Sequence, residues 1–203
     1  AAPSVTPFPG VVVRRRAQGE KVAVDCDACV VGSGAAGASA AIEAARLGRR
    51  VVLLDGAPAV GGQATGAIID TFCGFYSNGP RPELLTFGIA EEIVRDLTRT
   101  DAMARIEGRR NTLILYYRHT ALQRWLEEAL AAAGVTVITG ALLSRVEADG
   151  ARIAAVGAMT RHGEVEVRAR AYVDATGDAA LAWQAGLAVH EPASETIYGS
   201  QNG

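Results

Sequence analysis

Cysteine is scarce in this chain, three in 203 residues. So small and odd a number gives no disulfide framework, and a buried core must hold the fold. Basic charge is not in excess either: the formal net charge is −2 and the only tight basic run is Arg14-Arg15-Arg16. Phosphate-backbone binding needs a clustered positive field, so nucleic acid is excluded as the main partner, and the Arg run reads as a solvated tail. No apolar stretch approaches the roughly 20 residues of a membrane span. The apolar residues between 35 and 48 are mostly Ala, with Glu43 and Arg46 among them, as in a packed helix. No internal repeat is found. The chain opens on Ala1-Ala2-Pro3 without Met. That suits the residues left by a signal peptidase, but with no signal present the compartment, cytoplasmic or exported, stays open.

What is there is enough for a core: 203 residues, 49% of them hydrophobic, fit one large domain, or one with an appendage. Residues 1–24 read as an arm, punctuated by Pro3, Pro7, Pro9 and Gly10, in which Val11-Val12-Val13 could add an edge strand. Residues 25–190 read as the folded domain, and 191–203 as the start of a segment leading elsewhere. Ala28–Val31 and Val51–Leu54 are short apolar runs expected to be buried strands, with an Ala-rich helix over Ala35–Leu47 between them. Together they form a βαβ unit. Residues 56–82 read as a long loop of the kind that usually serves a function. Helices are expected over Pro82–Thr100 and Thr120–Ala133, and strands over Thr112–Tyr117 and Val135–Ile138. Residues 141–171 alternate around the turn signals Asp149-Gly150 and His162-Gly163, which predicts an antiparallel meander. A last buried strand, Tyr172–Ala175, leads into a short helix ending near Ala185. The fold class is therefore α/β: a Rossmann-like βαβ domain with a central parallel sheet and an inserted antiparallel β-meander.

The chemistry concentrates at Gly32-Ser33-Gly34-Ala35-Ala36-Gly37, a G-x-G-x-x-G between a strand and a helix. Gly32 allows the tight turn, Gly34 lets a pyrophosphate approach the backbone, and Gly37 lets helix and strand pack closely. The helix start adds free N–H groups and a partial positive charge. Asp55 ends the second strand 18 residues after Gly37, where an acid accepts hydrogen bonds from both ribose hydroxyls of an adenosine and repels a 2′-phosphate. NADP is thereby disfavoured.

Two further segments join this one. Gly61-Gly62-Gln63-Ala64-Thr65-Gly66 follows the acid, and Asp174-Ala175-Thr176-Gly177-Asp178-Ala179 closes the last strand. With Val30–Gly37 they resemble the FAD-dependent oxidoreductase superfamily of the glutathione-reductase-like type, similar to fumarate-reductase and heterodisulfide-reductase flavoproteins. The resemblance spans Asp27 to Gly186. It implies FAD as cofactor, held by Gly32, Gly34, Ala35, Ala36, Gly37, Asp55, Gly56, Gly62, Gln63, Ala64, Thr65, Leu143, Ala175, Thr176, Gly177 and Asp178. In that family Gln63, Ala64 and Thr65 would run toward the isoalloxazine and Leu143 would meet the adenine through its backbone. Gly177 would lie near the adenosine, and Asp178 would reach a ribityl hydroxyl or a bridging water. The family normally carries a substrate domain, which is largely missing from this chain. The expected partners are a second polypeptide carrying that domain, possibly from the same precursor, and a small organic substrate that gives a hydride to FAD. Two alternatives stay open: an FAD-holding electron-transfer subunit, and an NAD-binding protein similar to thiazole synthases. Iron–sulfur cysteine runs, which would favour the first, are absent.

The remaining reactive residues have plainer readings. Cys26 and Cys29 form a C-x-x-C, but residues three apart on a regular strand face opposite ways, so a metal or redox pair is disfavoured and both read as structural. Zinc would also need two more ligands. Cys73 lies just beyond the flavin-directed loop and is a weak candidate for a catalytic, redox or flavin-linking role, against the usual reading as a buried hydrophobe. His119 precedes a helix and reads as a capping group. His162 sits in a turn and His190 near the chain end. Trp125 and Trp183 read as core. No catalytic acid or base is named.

Overall fold

The computed structural model describes residues 21–109 and 112–188. The arm with Val11–Val13 and Arg14–Arg16, His190 and the segment 191–203 lie outside them. A strand β1 (Val22–Val31), a helix α1 (Ala35–Arg46) and a strand β2 (Val51–Leu54) form the βαβ unit. A short helix α2 (Gln63–Gly66) and strand β3 (Thr71–Cys73) follow, within the stretch read as loop. Then come α3 (Ile89–Thr100), β4 (Arg105–Arg109), β5 (Thr112–Tyr116), α4 (His119–Ala132) and β6 (Thr136–Ile138). The chain continues through β7 (Leu142–Asp149), β8 (Arg152–Thr160), β9 (Gly163–Asp174) and α5 (Ala180–Gln184).

The main sheet has six strands in the order β6-β2-β1-β9-β8-β7. The first four are parallel, and β8 and β7 extend them antiparallel. The expected meander and the expected last strand are thus continuous: β9 closes the meander with its first half and pairs along the whole of β1, from Val22↔Val165 to Val31↔Asp174. A second sheet, β3-β5-β4, is separate and antiparallel.

Burial on both faces dictates the strand sequences. In β2, Val51 and Leu53 enter one core with α1, α3 and α4, while Val52 and Leu54 enter the opposite one. In the first core, Ile42, Leu97, Leu122 and Leu130 of the three helices are almost fully enclosed.

The structure corrects the reading of Cys26 and Cys29. The N–H groups of Asp27 and Ala28 both donate to the Arg50 carbonyl, at 2.9 and 3.2 Å. Two consecutive donors on one acceptor make a β-bulge, which shifts the alternation by one residue. Val24, Cys26, Cys29 and Val31 consequently share one core, and Ala28 and Val30 the other. Both cysteines lie on the same face, buried and free. Burial pushes the Cys29 thiol up to about 12, so it stays protonated and packs as a hydrophobe.

Three other expectations change. The helix expected from Pro82 begins at Ile89, because residues 82–87 pair back on the preceding segment instead. Ser77 N–H donates to the Glu83 carbonyl and Glu83 N–H to Ser77 Oγ, Leu85 N–H donates to the Phe75 carbonyl, and Tyr76 bridges Leu84. Strand β4 was not expected, since every side chain in it is exposed and carries no apolar alternation. Trp183 is 63% exposed rather than packed, whereas Trp125 is half-buried and donates its indole N–H to Asp96.

On one face of the β7–β9 ribbon, Arg145, Gly157 and Glu166 lie side by side on successive strands. Gly157 has no side chain, so Arg145 crosses over it to reach Glu164 and Glu166 at 2.7 and 3.1 Å. Lys21 and Arg168 close on the same Glu166 carboxylate. Lys21 first, and then Arg145, hold that carboxyl down at about 2 from its ordinary 4.5. A carboxyl lowered by folding adds stability above its unfolded value, and that stability is lost as pH falls toward the folded value. Chemical denaturation midpoints of the wild type are therefore expected to fall between about pH 4.5 and 2. The Glu166→Gln variant should be less stable at neutral pH and flatter through that window; an equally steep acid limb would remove Glu166 from the account.

Candidate cofactor site

The three motif segments, far apart in sequence, meet in direct contact at the carboxyl ends of β1, β2 and β9. Gly32 has φ +100° and lies against the start of the distal motif: a Cβ there would stand 2.2 Å from the Ala175 carbonyl oxygen. A Cβ on Gly37 would stand 1.8 Å from the Gly32 oxygen and 3.1 Å from the Ala175 Cβ. No side chain fits either place, so α1 touches the Gly32 backbone and the Ala175 methyl, and Gly32 touches the Ala175 backbone. Gly62, at φ +55°, caps α2 and rests on Gly34, whose Cα would be 2.8 Å from a Gly62 Cβ.

Ser33, fully buried, ties the glycine turn to the segment that follows β2 at two points. Its N–H and its Oγ each donate to Asp55 Oδ2 at 2.5 Å, and its carbonyl accepts from Gly61 N–H at 2.9 Å. Asp55 Oδ1 accepts from Ala57 N–H at 2.7 Å. The backbone of Asp55 is spent on β6 and the turn after it, through Ile138 and Ala141. Sequence reasoning passed over Ser33. Its signal was a hydroxyl at the second position of a glycine turn that must close on an acid.

At the α1 start, Ala35 and Ala36 are exposed, the first turn carries no acid, and no side chain caps it. A Cβ on Gly34 would meet nothing nearer than 4.0 Å, so the space before the helix is open. Beside Asp55, Gly56 is exposed and overhung by Leu142, whose Cδ1 lies 3.6 Å from a Gly56 Cβ. Leu142 is thus the overhanging leucine, while Leu143 packs its side chain against the core. In the second segment Gln63 is exposed, but Thr65 is turned inward: its hydroxyl donates to the Val60 carbonyl at 2.9 Å. The Ala64 carbonyl accepts from the Tyr117 hydroxyl at 3.1 Å. Of these three residues, Gln63 alone presents an open polar side chain.

In the distal segment, Thr176 N–H and Oγ both donate to Asp174 Oδ1, and Ala182 N–H to Asp174 Oδ2. Gly177 and Asp178 are exposed on the turn that follows. Cys73 is exposed on β3, not buried. His119 opens α4, and both its N–H and its ring Nδ1 lie 2.9 Å from Asp70 Oδ1, so a distant carboxylate occupies that helix start. A crevice of about 610 Å³ lies between α3 and α4 among Arg46, Glu92, Asp96, Arg118, Arg124 and Trp125, and shares no residue with the three motifs. A small apolar cavity of about 110 Å³ does adjoin them, through Ala35, Gly61 and Ala64.

The family model of the FAD dependent oxidoreductases matches residues 27–202. The chain belongs to that family. FAD is accordingly its cofactor. No protein of curated function matches the chain. The fold recurs in a geranylgeranyl bacteriochlorophyll reductase-like protein from Thermoplasma acidophilum, at 20% identity and TM-score 0.56, over 81% of this chain and 43% of that one. It recurs in THI4 from Thermovibrio ammonificans, at 17% and 0.55, over 81% and 64%. A third case is the 3-ketosteroid-Δ4-(5α)-dehydrogenase of Rhodococcus jostii RHA1, at 17% and 0.53, over 74% and 45%. The chain spans less than two thirds of each.

The residues fit this family's cofactor. An uncapped twelve-residue helix with no acid in its first turn offers N–H groups and the positive end of its dipole to a diphosphate. The two inner glycines divide the work, which gives a paired prediction. The Gly37→Ala variant forces a methyl into backbone and should lose about 1–3 kcal/mol or more of stability, by the cost of overpacking. The Gly34→Ala variant should melt like the wild type yet bind FAD weakly, because its methyl enters the open space before the helix. Thermal melts and flavin fluorescence on both variants check this; a Gly34→Ala protein with undiminished FAD affinity would place the diphosphate elsewhere.

Proposed function

We propose that this chain is the cofactor-binding part of an FAD-dependent dehydrogenase or oxidase, in which a small organic substrate gives a hydride to FAD and a second polypeptide supplies the substrate domain. The observation that carries the reading is the contact of Gly32, Gly34, Asp55, Gly62 and Ala175 around one open helix start. In this reading Gly32–Gly37 and the α1 start hold the diphosphate. Asp55 and Gly56 receive the adenosine with Gly177 near it, Gln63 lines the way toward the isoalloxazine, and Asp178 faces the ribityl side. When bound, the flavin supplies the two-electron acceptor; the chain's part is to bind it, orient it and shape its surroundings.

The partner half of the proposal is supported by surface. Beyond α2, Ile68, Ile69, Leu85 and Phe87 are between 44 and 67% exposed. Four large apolar side chains along one connection are more than a monomer's scattered exposure, and suit a covering domain.

The test is the purified native assembly. It should be yellow, with a flavin spectrum bleached by the right substrate and a second chain in the intact-mass spectrum before and after denaturation. Colourless protein releasing NAD into an acid extract would overturn the reading. A single chain of this size with bound FAD and turnover would overturn the second-polypeptide part. Flavin reduced by dithionite but by no organic substrate would favour a cofactor-holding subunit.

A further inference from the structure

We infer that Ser33 is a positioning residue that commits Asp55 to a single hydroxyl of the adenosine ribose; the inference rests on the FAD reading above. A carboxylate has about four accepting directions, two on each oxygen. Three are already taken within the chain. Oδ2 carries both the N–H and the hydroxyl of Ser33, each at 2.5 Å, and Oδ1 carries the Ala57 N–H at 2.7 Å. One direction remains, on Oδ1.

Ser33 is not free to yield its place. It is fully buried, its carbonyl is held by Gly61 N–H, and its neighbours Gly32 and Gly34 are fixed against Ala175 and Gly62. A hydroxyl taken off Asp55 would leave a buried donor unpaired, which costs more than an average hydrogen bond contributes. The backbone of Asp55 cannot turn the carboxylate either, being bonded to Ile138 and Ala141 on the far side. The acid is therefore set before the cofactor arrives, and a ribose meets one acceptor where an unclamped carboxylate offers two. The second ribose hydroxyl then faces water or the exposed Gly56 turn.

The experiment uses FAD and two analogues in which the adenosine lacks either the 2′- or the 3′-hydroxyl. Their affinities for the native protein are read by quenching of flavin fluorescence. One deletion should weaken binding about tenfold or more, the scale of one hydrogen bond to a charged group, and the other should change it less than about twofold. In Ser33→Ala, one direction on Oδ2 is released, so the tolerated deletion should become costly and the asymmetry shrink. If Ser33→Ala does not fold, the wild-type pair decides alone. Equal losses from both deletions in the wild type, or an asymmetry unchanged in a folded Ser33→Ala, would overturn the assignment. Failure of the wild type to bind FAD itself would instead overturn the cofactor reading.

Discussion

The contact on which the site depends is one between backbones. Gly37 stands so close to the Gly32 carbonyl that a Cβ would lie 1.8 Å away, and Gly32 is pressed as tightly on Ala175. Two consequences follow from so small a distance. Helix α1 packs directly on the end of β1, so its free N–H groups start at the sheet's carboxyl edge. The distal strand β9 is also brought beside β1 along its full length, which puts Thr176 and Gly177 next to the same opening. Two missing side chains, at Gly32 and Gly37, thus let the positive end of the helix and the third motif face each other.

The rest of the fold keeps that junction rigid. Strand β1 lies between β2 and β9 and is buried toward its carboxyl end. Its bulge at Asp27-Ala28 brings Ala28 and Val30 onto the face covered by α1, and Cys29 and Val31 onto the other. Asp27 steadies the bulge by accepting from Arg50 N–H at 2.9 Å. Without the phase shift, Val24 and Cys26 could not share a core with Cys29 and Val31. Packing energy is collected on both faces of the segment that delivers the glycine turn.

How much of this was legible in the sequence follows from which forces act locally. The βαβ unit, α4, β6 and the turns at Gly150 and Gly163 were readable because apolar spacing and glycine placement are properties of short windows. The glycines and Asp55 were readable because a diphosphate and a ribose demand them at fixed spacing. The bulge was not, since it is a matter of which carbonyl two donors share across strands. Pro82 misled because it suits a helix start as well as the turn it occupies, and the choice was made by distant bonds from Ser77 and Phe75. Strand β4 holds no apolar pattern at all and exists by pairing with β5. In the site, Thr65 and Ser33 exchanged roles with respect to expectation. The threonine in the flavin-directed segment braces its own loop, while the serine in the glycine turn clamps the acid.

Acids near a diphosphate pose an electrostatic problem, and the chain meets it twice in the same way. Asp55 and Asp174 end neighbouring strands of β1, on either side of the phosphate opening. Each carboxylate holds three internal donors, one of them a hydroxyl: Ser33 Oγ for the first, Thr176 Oγ for the second. Bonds of this kind stabilise the charge in place and turn it toward the backbone, away from the ligand. What separates the two acids is their surroundings. The Asp174 donors include Ala182 inside α5, so its remaining direction lies against a helix. Asp55 opens on Gly56, which has no side chain and is roofed by the exposed Leu142. The glycine beside Asp55, at the end of the second strand of the βαβ unit, is why the acid after β2, rather than the acid after β9, is the one suited to read the nucleoside.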